Sequence, residues 1–180
     1  SWFRSFSHSL SFAFADFAGR VNLHRGPDAG HRACLWSRLA SRILLVLDEF
    51  PDDPGACNDL GYLWADAGKH LDLALQMIQY AVSRDAKNTA YRDSLGWVLY
   101  RLGRYPEAVA ELKAAAASSE APDGTILDHL AEALLKSGDK PAAIEAWQRA
   151  AEHFDKHEEP DKAQAIREKI SSAQSAAAEK

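Results

Sequence analysis

Three segments of the chain can be laid over one another at a constant offset: NDLGYLWADAGKHLDLAL at 58–75, RDSLGWVLYRLGRYPEAV at 92–109 and LDHLAEALLKSGDKPAAI at 127–144. Leu60, Leu95 and Leu130 recur every 35 residues, as do Gly61, Gly96 and Ala131, and then Gly68, Gly103 and Gly138. This period constrains the fold more than any other feature. A unit of that length cannot bury its own apolar face, so copies must stack on one another. In the middle copy Leu95, Val98, Leu99 and Leu102 share one helical face, and Val109, Leu112 and Ala116 share a second. Gly103 closes the first helix, Arg104 and Tyr105 turn the chain, and Pro106 suits the opening turn of the next. The small residues Gly61, Gly96 and Ala131, and then Ala74, Ala108 and Ala143, allow the paired helices to approach closely. Each copy is therefore predicted to be a helix–turn–helix.

A period of this length with a Leu-Gly pair and a spaced Ala resembles the tetratricopeptide repeat, whose pattern is W-x2-L-G-x2-Y…A-x3-F…P. The first unit fills that frame with Cys57, Leu60, Gly61, Trp64, Ala74, Ile78 and Ala81, with one extra residue in the turn over 69–73. The second uses Arg92, Leu95, Gly96, Leu99, Ala108 and Leu112, and the third Leu127, Leu130, Ala131, Leu134, Ala143 and Trp147. Arg92 departs from the bulky apolar residue usual there. The closing proline is absent from the first unit, where Ala86 stands, and Pro122 only lies near the end of the second. The resemblance implies an all-α solenoid of three helix–turn–helix repeats, at about 54–88, 89–122 and 123–158, with helical caps at both ends. The repeated stretches also look like arrays of large bacterial tetratricopeptide proteins. Some of that broad group are envelope lipoproteins that act as adaptors for periplasmic proteases, a narrower expectation for this chain.

The flanks do not follow the period. Residues 1–30 form an irregular leader with Phe3, Phe6, Phe12, Phe14 and Phe17, broken by Gly26, Pro27 and Gly30. A signal peptide is a poor fit because Asp16 interrupts the apolar run; a loosely packed leader, dispensable for folding, fits better. Over 31–53, Leu35, Leu39, Ile43 and Val46 predict one apolar helical face, followed by Pro51 where a closing proline falls. This segment is read as the second helix of a degenerate leading repeat, serving as an N-terminal cap. Over 159–180, Pro160 and Asp161 open a capping helix with Ala163, Ile166 and Ile170 inward and Arg167, Glu168 and Lys169 mostly outward. A frayed tail from Gln174 follows.

Composition limits the chemistry. The net charge is −5, and residues 1–50 carry six Lys/Arg against four Asp/Glu, which leaves the repeats more acidic than the whole and argues against nucleic acid. No apolar run reaches 18 residues, so membrane insertion is not expected, and the compartment is read as cytoplasmic or periplasmic. Cys34 and Cys57 form no ligand pair, and Cys57 occupies an apolar frame position as a structural thiol. His153 and His157 have i, i+4 spacing, yet Phe154 stands where a zinc protease carries Glu, so they are read as surface histidines. Asp128 and His129 have no nucleophile beside them, and no nucleotide or cofactor fingerprint occurs. No catalytic residue, cofactor or metal is assigned.

Repeats of this family line a concave groove with their first helices. The positions implied here are Asn58, Tyr62 and Asp66; Asp93, Trp97, Tyr100 and Arg101; and Asp128, Glu132, Leu135 and Lys136. Relatives that clamp acidic C-terminal peptides use Lys, Asn and Arg, whereas Asn58, Asp93 and Asp128 stand in that column here. The expected ligand is therefore a basic or mixed basic–apolar segment of another protein. An alternative for Trp97 and Tyr100 is packing against the neighbouring repeat. The expected function is a non-catalytic scaffold or adaptor. The alternative is self-association through an open repeat edge, giving a homo-oligomer.

Overall fold

The computed structural model describes residues 29–118 and 122–175. Among them are eight helices and no strand: α1 (Ala29–Glu49), α2 (Pro54–Ala67), α3 (Leu71–Arg84), α4 (Thr89–Arg101), α5 (Tyr105–Ala117), α6 (Gly124–Ser137), α7 (Lys140–Lys156) and α8 (Pro160–Ser175). Two compact units divide between Ala81 and Val82. The expectations for residues 1–28, for Leu35 and Cys34, and for the tail beyond Ser175 lie outside the described backbone or side chains.

Helix boundaries have local causes. Asp53, Asn88 and Asp123 cap α2, α4 and α6. Their side chains accept from Ala56 N at 2.6 Å, from Ala90 N at 3.0 Å and Tyr91 N at 3.2 Å, and from Thr125 N at 2.7 Å. Each such cap is worth about 1 kcal/mol. For Asp123, partial burial opposes the charge, but the Thr125 hydrogen bonds hold its carboxyl below the ordinary value. At the other end, Gly68, Gly103 and Gly138 have φ of 66°, 77° and 94°. The same pair of hydrogen bonds closes each turn: Lys69 N to Trp64 O, Arg104 N to Leu99 O and Asp139 N to Leu134 O, beside the glycine's own donation. The extra residue of the first unit is absorbed in the turn, where His70 adopts a φ of 48° before α3 begins.

In the first unit Cys57, Leu60, Trp64, Ala74, Met77 and Ile78 form the buried core. A Cβ on Gly61 would stand 2.7 Å from Ile78 Cγ1 and 3.1 Å from the Ala74 carbonyl, so only glycine lets α2 and α3 meet there. Burial, with the nearby charges of Asp53 and Asp52, pushes the Cys57 thiol up to about 12, as suits a packing thiol rather than a nucleophile. The face predicted for α1 needs correction. Ala40, Ile43 and Leu47 are buried, whereas Leu39 and Val46 stay exposed. α1 packs on α2, and the buried line includes the short Ala40, which permits the approach. The predicted line lies to one side of it.

In the second unit Val98, Leu112, Leu127, Ala131, Ala143, Trp147 and Phe154 are buried. Successive helices pack on one another from α4 to α8, and α4 also contacts α6. A Cβ on Gly96 would come within 2.8 Å of Leu112 Cδ2 and 3.1 Å of Cδ1. Arg92, the departure from the frame, is accommodated at the edge: Nη1 pairs with Glu111 at 2.9 Å, and Nε donates to the Ala86 carbonyl at 2.9 Å. Of the three residues predicted to face inward on α8, Ala163 and Ile166 are buried and Ile170 is partly buried. Lys169 is not outward-facing as predicted; it reaches back to α6, because two carboxylates await it there.

Candidate functional site

The residues singled out in the first helices fall in both units. In the first unit Asn58 is buried; its Nδ2 lies 3.3 Å from Asp59 Oδ1, and its own Oδ1 has no hydrogen-bond partner. Tyr62 and Asp66 are partly buried on the same helix.

In the second unit α4 and α6 bring Asp93, Trp97, Tyr100, Arg101, Asp128 and Glu132 into one network. Asp93 is 8% exposed and His129 6%, with His129 Nδ1 2.9 and 3.1 Å from the two Asp93 oxygens. With the proton on Nδ1, the imidazole donates to the carboxylate. The imidazole stacks on the Trp97 indole, with centroids 4.2 Å apart and planes 20° apart, and Trp97 stacks on Tyr100 at 4.9 Å and 13°. Tyr105 meets Tyr100 at 5.7 Å, and the Arg101 guanidinium lies 5.7 Å from the Trp97 ring centroid. Trp97 Nε1 is itself buried without a hydrogen-bond partner. The result is a half-buried aromatic ladder, seated on a buried Asp–His pair and flanked by a cation.

The carboxylates of α6 are also engaged. Asp128 accepts from Trp147 Nε1 at 2.8 Å and from Lys169 Nζ at 2.7 and 2.9 Å. Glu132 accepts from Tyr100 Oη at 3.1 Å and pairs with Lys169 at 2.9 Å. Burial, then the charge and hydrogen bond of Glu132, push the Tyr100 hydroxyl up to about 12. For Lys169, burial opposes the charge, but Asp128 and then Glu132 outweigh it and hold the ammonium above its ordinary value. Leu135 is partly buried and Lys136 exposed on the same helix.

The acidic column expected to meet a ligand is therefore not a row of open carboxylates. Asn58 and Asp93 are buried, and Asp128 is matched by Trp147 and Lys169. A short acid one turn from the helix core is the residue most easily drawn inward by a neighbour's donor. Sequence reasoning set His129 aside for want of a nucleophile and turned Lys169 outward, so it gave neither a place in the site. His129 stands 35 residues after Ser94, which is buried too, so the repeat register held a signal for the histidine. Nothing in the period marks Lys169.

The histidines of α7 and its C-terminal edge stack at 4.1 Å, and His157 Nδ1 lies 2.8 Å from the His153 carbonyl. Among the described residues no group of three His, Cys, Asp or Glu side chains is placed to hold a metal ion. No helix among them is long and apolar enough to cross a membrane.

Paired helices closed by left-handed glycines and recurring along the chain define an all-α helical-repeat solenoid. Residues 59–124 match the model of the tetratricopeptide repeat family. It is 30% identical over 96 residues to the TPR repeat-containing protein PA4667 of Pseudomonas aeruginosa; the match covers 53% of this chain but 16% of that protein. Its fold is similar to TTC0263, a thermophilic TPR protein of Thermus thermophilus (TM-score 0.64, 20% identity, 81% of this chain and 76% of that one). It is also similar to the type III secretion translocator chaperone SycD of Yersinia enterocolitica (TM-score 0.59, 18% identity, 67% and 91%).

Proposed function

We propose that the chain is a non-catalytic adaptor that holds a segment of another protein against the first helices of its repeats. The observation that carries this reading is the ladder of His129, Trp97 and Tyr100 beside Arg101, held by Asp93 and Glu132. Aromatic and Arg side chains already ordered by their neighbours lose little freedom on binding, which is what an anchor site needs. The fold's likeness to a chaperone of a secreted translocator is in keeping with a protein partner.

The partner's chemistry follows from what α4 and α6 present. Asp93, Asp128 and Glu132 are already matched within the chain, which weakens the case for a strongly basic ligand. A mixed segment fits better, with an apolar side chain on Trp97, Tyr100 and Leu135 and polar contacts to Arg101 and Lys136. A photo-crosslinking amino acid at Lys136, compared with one at exposed Lys113 on α5, tests this in lysate of the source cells. Adducts at 136 that vanish on Trp97→Ala, with the melting transition retained, support the face. Adducts at 113 alone, or equal adducts at both positions, would move the contact elsewhere.

A further inference from the structure

The large apolar side chains left exposed among the described residues lie together at one place: Leu39 at 48%, Leu45 at 70%, Val46 at 42% and, just past the helix end, Phe50 at 56%. All belong to α1 and its C-terminal edge, and α1 packs on α2 through a different line, Ala40, Ile43 and Leu47. A cluster of this kind is the usual mark of an interface.

The charges on that face are arranged in a particular way. Arg38 and Arg42 are exposed toward the N-terminal side of the cluster, and Glu49 is exposed at its C-terminal side. Arg42 and Glu49 are seven residues apart, about two helical turns, so they lie on the same outward face with Leu45 and Val46 between them. Such a helix is complementary to itself when a second copy runs antiparallel to it. Centred between Leu45 and Val46, the pairing sets Arg42 of each copy against Glu49 of the other. Leu45 of each copy then meets Val46 of the other, and Phe50 closes over the opposite N-terminal half. A parallel pairing would instead oppose like charges. Two-fold contacts require self-complementarity of this form.

We infer that α1 is a homodimer interface, in which two copies of this chain pair antiparallel through Leu39, Leu45, Val46 and Phe50 with reciprocal Arg42–Glu49 ion pairs. This surface belongs to the first unit and the aromatic ladder to the second, with no residue in common, so either reading can fail without the other.

Sedimentation equilibrium of the full chain across a wide concentration range tests the inference, with circular dichroism reporting that each variant is folded. The mass should rise from the 19.8 kDa monomer toward twice that value. Arg42→Glu or Glu49→Arg alone places like charges face to face twice and should weaken the dimer about a hundredfold or more. The double exchange Arg42→Glu with Glu49→Arg restores opposite pairing and should recover it. Leu45→Glu should abolish it. A chain that stays monomeric overturns the inference. So does a dimer indifferent to the single exchanges, or one that the double exchange does not rescue. Dimerisation only after removal of residues 1–28 would mean that this segment covers the face, and it too would refute the pairing in the full chain.

Discussion

Gly96→Leu is the sharpest test of how the repeats pack. A single Cβ at this position would already stand 2.8 Å from Leu112 Cδ2 and 3.1 Å from Cδ1. Leu112 is fully buried, so it has nowhere to withdraw. The three further carbons of leucine must enter the same space. Overpacking of this kind costs about 1–3 kcal/mol, and the crowding argues for the upper end. Replacing glycine inside a helix returns up to about 1 kcal/mol. The net loss is about 2 kcal/mol, or roughly 4–8 °C in melting temperature for a chain of this size. Thermal unfolding followed by circular dichroism reads it directly. The double variant adds specificity: Leu112→Ala alone should cost about 2–5 kcal/mol through its cavity, yet with Gly96→Leu it should cost less than the sum, because the new side chain fills that cavity. An unchanged melting temperature, or strict additivity, would refute the contact between α4 and α5 at this point.

Other expectations follow from the second unit. Asp93→Lys should destabilise by about 1–3 kcal/mol or more, since it removes the partner of a buried histidine and buries a second cation-forming group beside it; guanidinium unfolding measures this. Lys169→Met should lower stability by roughly 1 kcal/mol, leaving Asp128 and Glu132 side by side without a cation, and the loss should shrink at high salt. The folded pKa of Tyr100 is raised to about 12, so its contribution is complete below the ordinary tyrosine value near 10 and is lost as pH rises through the folded one. Cys57 and Lys169 are shifted upward as well, so the melting temperature should fall through the alkaline range, and less steeply in Tyr100→Phe.

The legible parts of this protein are those that repeat. The glycine column at 68, 103 and 138 marked where helices end because a left-handed residue is needed at the same place in each unit. Leu60, Leu95 and Leu130, with Gly61, Gly96 and Ala131, marked the core because helix crossings recur with the period. The cap column at Asp53, Asn88 and Asp123 has the same spacing and could have been found in the same way. The face of α1 was less legible, since α1 lies outside the period and lacks the frame that sets its rotation: Leu39 and Val46 are as apolar as Ile43 and Leu47, and only packing on α2 distinguishes them. The candidate site was legible as a set of positions but not as chemistry. Whether Asp93 faces solvent depends on His129 of the next repeat, and whether Asp128 is an open charge depends on Lys169, 41 residues further on.

The central claim is that the aromatic ladder on α4 and α6 receives a protein segment. Its most direct measurement is calorimetric titration of the partner recovered by crosslinking at position 136, into the wild-type chain and into Trp97→Ala. The account predicts a loss of at least about 2 kcal/mol, roughly thirtyfold in Kd, for Trp97→Ala in a chain that still melts cooperatively above the titration temperature. An unchanged Kd in a folded Trp97→Ala chain would contradict it.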